Sequence, residues 1–268
     1  MMNNQLTYLI VIFLFTIHCQ PTTPDYNADL IINNALILSM DSAETIYRQA
    51  QVVVKNSRII ALGENPAEQY RAAKVMDAKG MMLLPGFVNT HAHSAMTIFR
   101  GLSDDHSLED WLNKYIWPAE RKFVDEKVVR LGSQLAIIEM IRSGITTFSD
   151  MYFFEDAVAE ECRQVGIRAL LAESLIDYPT PSFKKPEQGL KIADAQLQRW
   201  KGDSLVTVTV AVHAPYTASA ELIKQAYALA ETYDVPFSMH LSESAGELAQ
   251  SQQAHQQTPK LCKYSVGV

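Results

Sequence analysis

The chain has 268 residues, 48% hydrophobic and 20% charged, enough to bury a large core in one or two domains. A formal net charge of −7 argues against nucleic acid or an anionic membrane surface as partner. Cys19, Cys162 and Cys262 are odd in number and widely scattered, which excludes a disulfide framework or a Cys-x-x-Cys knuckle, so any metal must be held by His, Asp or Glu.

Residues 6–17 form an almost purely apolar block, followed by Cys19 and a Pro/Thr linker. The block is short for a membrane-spanning helix, and its length suits the apolar region of a signal peptide. Cys19 resembles the start of a bacterial lipoprotein, although His18 stands where a small residue is expected and residues 1–5 carry no Lys or Arg. Residues 1–28 therefore read as an export leader and linker, with a possible lipid anchor at Cys19 and an exported or membrane-anchored location. The alternative is an apolar tail on a cytoplasmic enzyme. From 29 to 82 the apolar runs at 30–32, 35–38, 51–54 and 59–62 are separated by Asn33-Asn34, Lys55-Asn56-Ser57 and Gly63 to Pro66. Short runs divided by turn residues predict a small β-sandwich or meander.

From 83 to 255 strand and helix patterns alternate, as in a parallel β/α architecture. Residues 83–93 read as the first strand. Asp125 should cap a helix whose apolar face is Val128, Leu131, Leu135, Ile138 and Ile141, closed by Gly144. Strands follow at 145–150 and 167–173 around a 156–165 helix. After a Pro-containing loop come a helix near 190–200, a strand at 206–213, a helix at 219–233 and a strand at 236–240. Five βα units make an incomplete (β/α)8 barrel, whose last strand would leave Phe237, Met239 and Leu241 on an open edge.

Chemistry gathers at the predicted strand ends. His91 and His93 alternate with Ala92 and so share a face, a spacing that lets two imidazoles hold one metal. Such a pair also arises by chance, but His213 and His240 end two further strands, and barrel sites lie where strands end. His18, His106 and His255 fall in leader, loop or tail and receive no metal role.

Six stretches, 85–94 (PGFVNTHAHS), 96–105 (MTIFRGLSDD), 110–120 (DWLNKYIWPAE), 144–153 (GITTFSDMYF), 212–217 (VHAPYT) and 240–244 (HLSES), together resemble the amidohydrolase superfamily. The closest likeness is to its S-adenosylhomocysteine/methylthioadenosine deaminase and chlorohydrolase branch. The resemblance implies a metal-dependent TIM barrel with a small sandwich completed by the C-terminal end of the family's chain. It implies that His91, His93 and His240 hold one divalent ion, zinc or iron, and that Glu243 shuttles protons and contacts substrate. It makes His213 a substrate contact that stabilises charge, and Glu120 the acid that binds ribose hydroxyls. Trp111 and Trp117 could wall the pocket. Bland alternatives are a solvated loop acid for Glu120 and an exposed helix-start acid for Glu243.

The implied activity is hydrolysis of a non-peptide C–N bond by metal-activated water, as in deamination of a heteroaromatic ring such as a purine nucleoside. Its partner would be a small heterocyclic substrate, and a full-length form would be a homo-oligomer. Two departures stand out. Glu173 occupies a position where nucleoside-deaminating relatives often carry Arg, which argues against adenosine-type substrates. After His240 the chain offers only His255 and no Asp, whereas the family completes its site with a sixth-strand His and an eighth-strand Asp. On the same resemblance, the remaining segment, 256–268, reads as an aberrant tail. The expectation is a truncated chain with weak metal binding and negligible turnover. The alternatives are a non-catalytic exported metal- or ligand-binding remnant, or a chlorohydrolase acting on a ring C–Cl bond.

Overall fold

A computed structural model describes residues 26–64 and 66–256, which divide into two compact units between Pro85 and Gly86. The apolar block at 6–17, Cys19 and the tail at 257–268 lie outside the described residues. Among those described, no helix is long and apolar enough to cross a membrane.

The first unit is a single mixed sheet of β1 (Ala28–Leu38), β2 (Ile46–Lys55), β3 (Arg58–Gly63), β4 (Ala72–Asp77) and β5 (Met82–Leu83). Its order is β3-β2-β1-β4, with β5 beside the end of β1. Asn56 and Ser57 both have positive φ, the geometry of a two-residue hairpin between β2 and β3. Asn33-Asn34 is not the expected turn: β1 runs through it as an irregularity in register, with Asn34 at φ 55°. Small buried clusters cover both faces, Ala35, Ile37 and Val52 on one and Ala28, Ile31 and Val53 on the other. Met82 and Leu83 pair with β1 instead of opening the first barrel strand.

The second unit is a curled, all-parallel sheet. Its strands are β6 (Phe87–Ala92), β7 (Ile145–Tyr152), β8 (Arg168–Leu175), β9 (Val206–Val208), β10 (Val210–Val212) and β11 (Phe237–Met239). The order is β11-β10-β8-β7-β6, with β9 beside β8, which makes a half-barrel. The strand expected at 206–213 breaks at Thr209, whose N–H bonds to Leu171 O. Between β6 and β7 come a 3-10 helix (Ser94–Phe99), α1 (Leu108–Asp110), a π-helical run (Trp111–Ile116), α2 (Trp117–Phe123) and α3 (Glu126–Arg142). Thereafter α4 (Glu155–Val165), α5 (Pro186–Arg199), α6 (Ala220–Tyr233) and α7 (Ala245–His255) follow the strands. Helix α5 starts earlier than expected because Pro186 fits a first helical turn.

Asp125 caps α3 as expected, accepting from Val128 N–H at 2.8 Å. The face of that helix is corrected. Leu131, Leu135, Ile138 and Ile141 are exposed, while Val129, Ala136, Ile137 and Met140 are buried against the sheet. The helix carries two apolar stripes, and periodicity alone cannot say which one meets the core. Gly132 lies on the buried face, where a Cβ would overlap the Ala95 carbonyl, so α3 and the 3-10 helix approach closely. β11 is the edge strand of the sheet, as expected, but Phe237, Met239 and Leu241 are half-buried, and Phe237 packs edge-on to Tyr227 at 5.8 Å between ring centroids.

Candidate active site

Strand alternation decides what faces the inside of the half-barrel. Met151 of β7, Ala172 of β8 and Ala211 of β10 form a small buried cluster there. Two residues further along β10, on the same face, is His213. His91 lies near the end of β6, His93 immediately follows it, and His240 follows β11. One ring nitrogen from each of His91, His93 and His240 lies within 4.8 Å of the others. Their ring centroids are 5.3 Å (91–93), 5.0 Å (91–240) and 5.2 Å (93–240) apart, and His213 stands 5.2 Å from His240.

Hydrogen bonds assign two of the rings. His93 Nδ1 lies 2.7 Å from Met151 O, and a carbonyl only accepts, so Nδ1 carries the proton and Nε2 is left with its lone pair. His213 Nδ1 is 2.9 Å from Thr217 Oγ1, whose own proton goes to Ala214 O. Thr217 therefore accepts from His213, and Nε2 of His213 is an acceptor. Burial, then His240 and His93, push the His213 pKa down to about 3, so the ring is neutral, not a cation. Burial and then His93 also hold His240 below the usual imidazole value, which keeps a nitrogen lone pair available at neutral pH. Three imidazoles meeting at one point, with the His93 tautomer fixed and His240 holding a free lone pair, fit a bound metal ion.

Glu243 lies in the turn between β11 and α7, where Tyr216 OH donates to its Oε2 at 2.9 Å. Backbone N–H groups of Ser242 and Glu243 both donate to Glu247 at 2.8 Å, which holds that turn with Ser242 at φ 62°. Glu120 is no solvated loop acid. It sits on α2, 5% exposed, and accepts from Tyr152 OH at 2.7 Å. Burial raises its pKa to about 7, outweighing that hydrogen bond.

A chamber of about 80 Å³ touches His93, His213, His240, Glu243 and Glu120. Beside it is a cavity of about 740 Å³ that shares Trp117, Glu120, Phe153, Ile176 and Tyr216 with the chamber. Trp111 lines the chamber and Trp117 lines both, whereas His106 stacks on Tyr115 at 4.6 Å. Glu173 corrects an expectation. It is 1% exposed, accepts from Ser182 Oγ at 2.5 Å and Gln196 Nε2 at 3.2 Å, and lines neither chamber nor cavity. An acid turned toward the outer helices says nothing about substrate choice.

Sequence reading missed Tyr216, Glu247 and Asp150. Glu247 had a legible signal, since Ser244-Ala245-Gly246-Glu247 is a capping-box pattern. Tyr216 and Asp150 had none, because their partners come from distant segments.

Residues 82–265 match the model of the amidohydrolase family. The chain is 41% identical over 244 residues to 5-methylthioadenosine/S-adenosylhomocysteine deaminase 1 of Syntrophus aciditrophicus (strain SB), covering 90% of this chain and 55% of the relative. It is 40% identical over 230 residues to 5'-deoxyadenosine deaminase of Methanobrevibacter smithii, covering 86% and 52%. A zinc-bound adenosine deaminase from Xanthomonas campestris superposes with a TM-score of 0.83 at 32% identity, over 87% of this chain and 53% of that one. The chain thus spans about half the length of the curated relatives it matches. On its motifs, its half-barrel and its histidine cluster, the chain belongs to the amidohydrolase family.

Proposed function

We propose that this chain carries the zinc-binding and proton-transferring part of a hydrolytic deaminase acting on adenine nucleosides. One observation carries the reading: His91, His93 and His240 converge at one end of a cavity that also presents Glu243 and buried Glu120. Zinc held there would supply hydroxide near neutral pH. Glu243, steadied by Tyr216, moves a proton to the departing exocyclic amino group, which leaves as ammonia. His213 Nε2 accepts a hydrogen bond from the ligand. Glu120 keeps one oxygen engaged by Tyr152 and turns the other to a sugar hydroxyl. The larger cavity leaves room for a substituent on the sugar. The adenine reading agrees with the names of the relatives, and Glu173 lines neither chamber nor cavity.

Binding is a sharper test than turnover, since among the described residues no carboxylate joins the three imidazoles. Titration calorimetry of the zinc-loaded chain with 5'-methylthioadenosine should show binding that needs zinc and is lost in His93→Ala. A chimera carrying the remaining barrel strands of the Syntrophus relative should release ammonia from the same nucleoside, and Glu243→Gln should abolish that release. A zinc-loaded chain indifferent to adenine nucleosides would sink the proposal.

A further inference from the structure

We propose that Asp150 is a positioning residue for His93, holding the turn after it through both backbone and hydroxyl of Ser94 so that His93 Nε2 is aimed at the metal position. The inference rests on the reading of His91, His93 and His240 as metal ligands.

Two successive residues of β7 grip two successive residues after β6. Asp150 stands opposite Ala92 in the sheet. Its Oδ1 accepts Ser94 N–H at 2.8 Å, and its Oδ2 accepts the Ser94 hydroxyl in a short hydrogen bond. The next carbonyl, Met151 O, takes the His93 Nδ1 proton at 2.7 Å. Both side-chain groups are buried, Asp150 at 2% exposure and Ser94 at 2%, so water cannot substitute for either. With the Ser94 proton spent on Asp150, the 3.3 Å contact between Ser94 Oγ and Ser133 Oγ must be donated by Ser133 of α3. The same helix accepts Thr97 Oγ1 at Gly132 O, 2.8 Å away. The 3-10 helix is therefore fastened to β7 on one side and α3 on the other, and His93 immediately precedes it. A ring pinned at Nδ1 on a backbone pinned at the next residue has one direction left for Nε2. Groups that orient metal-binding histidines in this way typically change metal affinity 10–100-fold when removed.

Asp150→Asn replaces one acceptor oxygen by an NH₂ donor, so the Ser94 N–H and hydroxyl no longer have an oxygen each. Ser94→Ala keeps the N–H arm and loses the hydroxyl arm, with little risk to folding. Glu173→Gln is the control, an equally buried acid that does not touch the His93 turn. The experiment is competition for zinc between the purified full chain and a chromophoric chelator, with a thermal melt of each apo-protein alongside. Asp150→Asn should weaken zinc binding by about 10–100-fold, Ser94→Ala by a smaller factor, and Glu173→Gln not at all. Should Asp150→Asn fail to fold, Ser94→Ala decides. Wild-type affinity in Ser94→Ala and in folded Asp150→Asn overturns the inference. So does an equal loss in Glu173→Gln, which would mark a general effect of disturbing the core. A wild-type chain that binds no zinc, or binds it equally well as His93→Ala, overturns the metal reading itself and is a distinct result.

Discussion

Glu120 offers the most demanding check on the electrostatics of the site. Burial moves its carboxyl from the ordinary 4.5 to about 7, against the opposing hydrogen bond from Tyr152 and the charge of Arg121. In the unfolded chain the group ionises near its ordinary value, so between 4.5 and about 7 the folded state holds a proton that the unfolded state has released. Stability therefore falls as pH rises through that window, and the deficit is complete above it. At about 1.4 kcal/mol per pH unit, the full deficit is about 3 kcal/mol. Glu120→Gln keeps the shape and an oxygen for Tyr152 but cannot ionise. Urea unfolding in the presence of chelator should show the smallest difference between the two proteins below about pH 4. The advantage of the variant should grow to about 2–3 kcal/mol by about pH 8. Subtracting one protein from the other cancels the titration of Asp150, Glu155 and Glu173, whose pKa values burial also raises. A difference that stays flat across this range, or that grows in favour of the wild type, would refute the reasoning.

Helix α3 supplies a test of which apolar stripe is the core. Ile137→Ala, at a position 0% exposed, should cost about 2–5 kcal/mol by denaturant unfolding. Ile138→Ala, at 56% exposed, should stay within about 0.5 kcal/mol, and the opposite order would reverse the assigned face. At the start of the same helix, Asp125→Ala removes the cap on Val128 and should lower stability by about 1 kcal/mol. Zinc affinity measured by chelator competition should not follow it.

What could be read from the sequence was what repeats locally. The strand-and-helix alternation, the cap at Asp125, and four histidines at strand ends each depend on spacing within a few residues, and the structure shows all of them. What depended on distant partners could not be read. Ala72–Asp77 has the composition of a helix and became a strand because β1 offered it a parallel edge. Asn33-Asn34 has turn chemistry that β1 absorbed as a bulge, since pairing with β2 resumes on either side. Glu120 and Glu173 are both acids next to site motifs. Only the tertiary fold reveals that one is buried facing the cavity and the other is buried facing away.

The π-helical run at Trp111–Ile116 bears on how the cavity wall changes over time. Its closing bond, from Trp117 N–H back to Leu112 O, spans five residues where an α-helix would span four. Each residue advances a helix by about 100°, so the extra one sets the phase of everything after it. Trp117 and Glu120 face the cavity because that residue is there. Loss of a single codon in the run would turn α2 by about a quarter of a revolution and present a different set of side chains to the ligand. Recognition on this wall is therefore encoded in length as well as in letters. Two homologues with the same residues here but one position more or fewer would have different pockets.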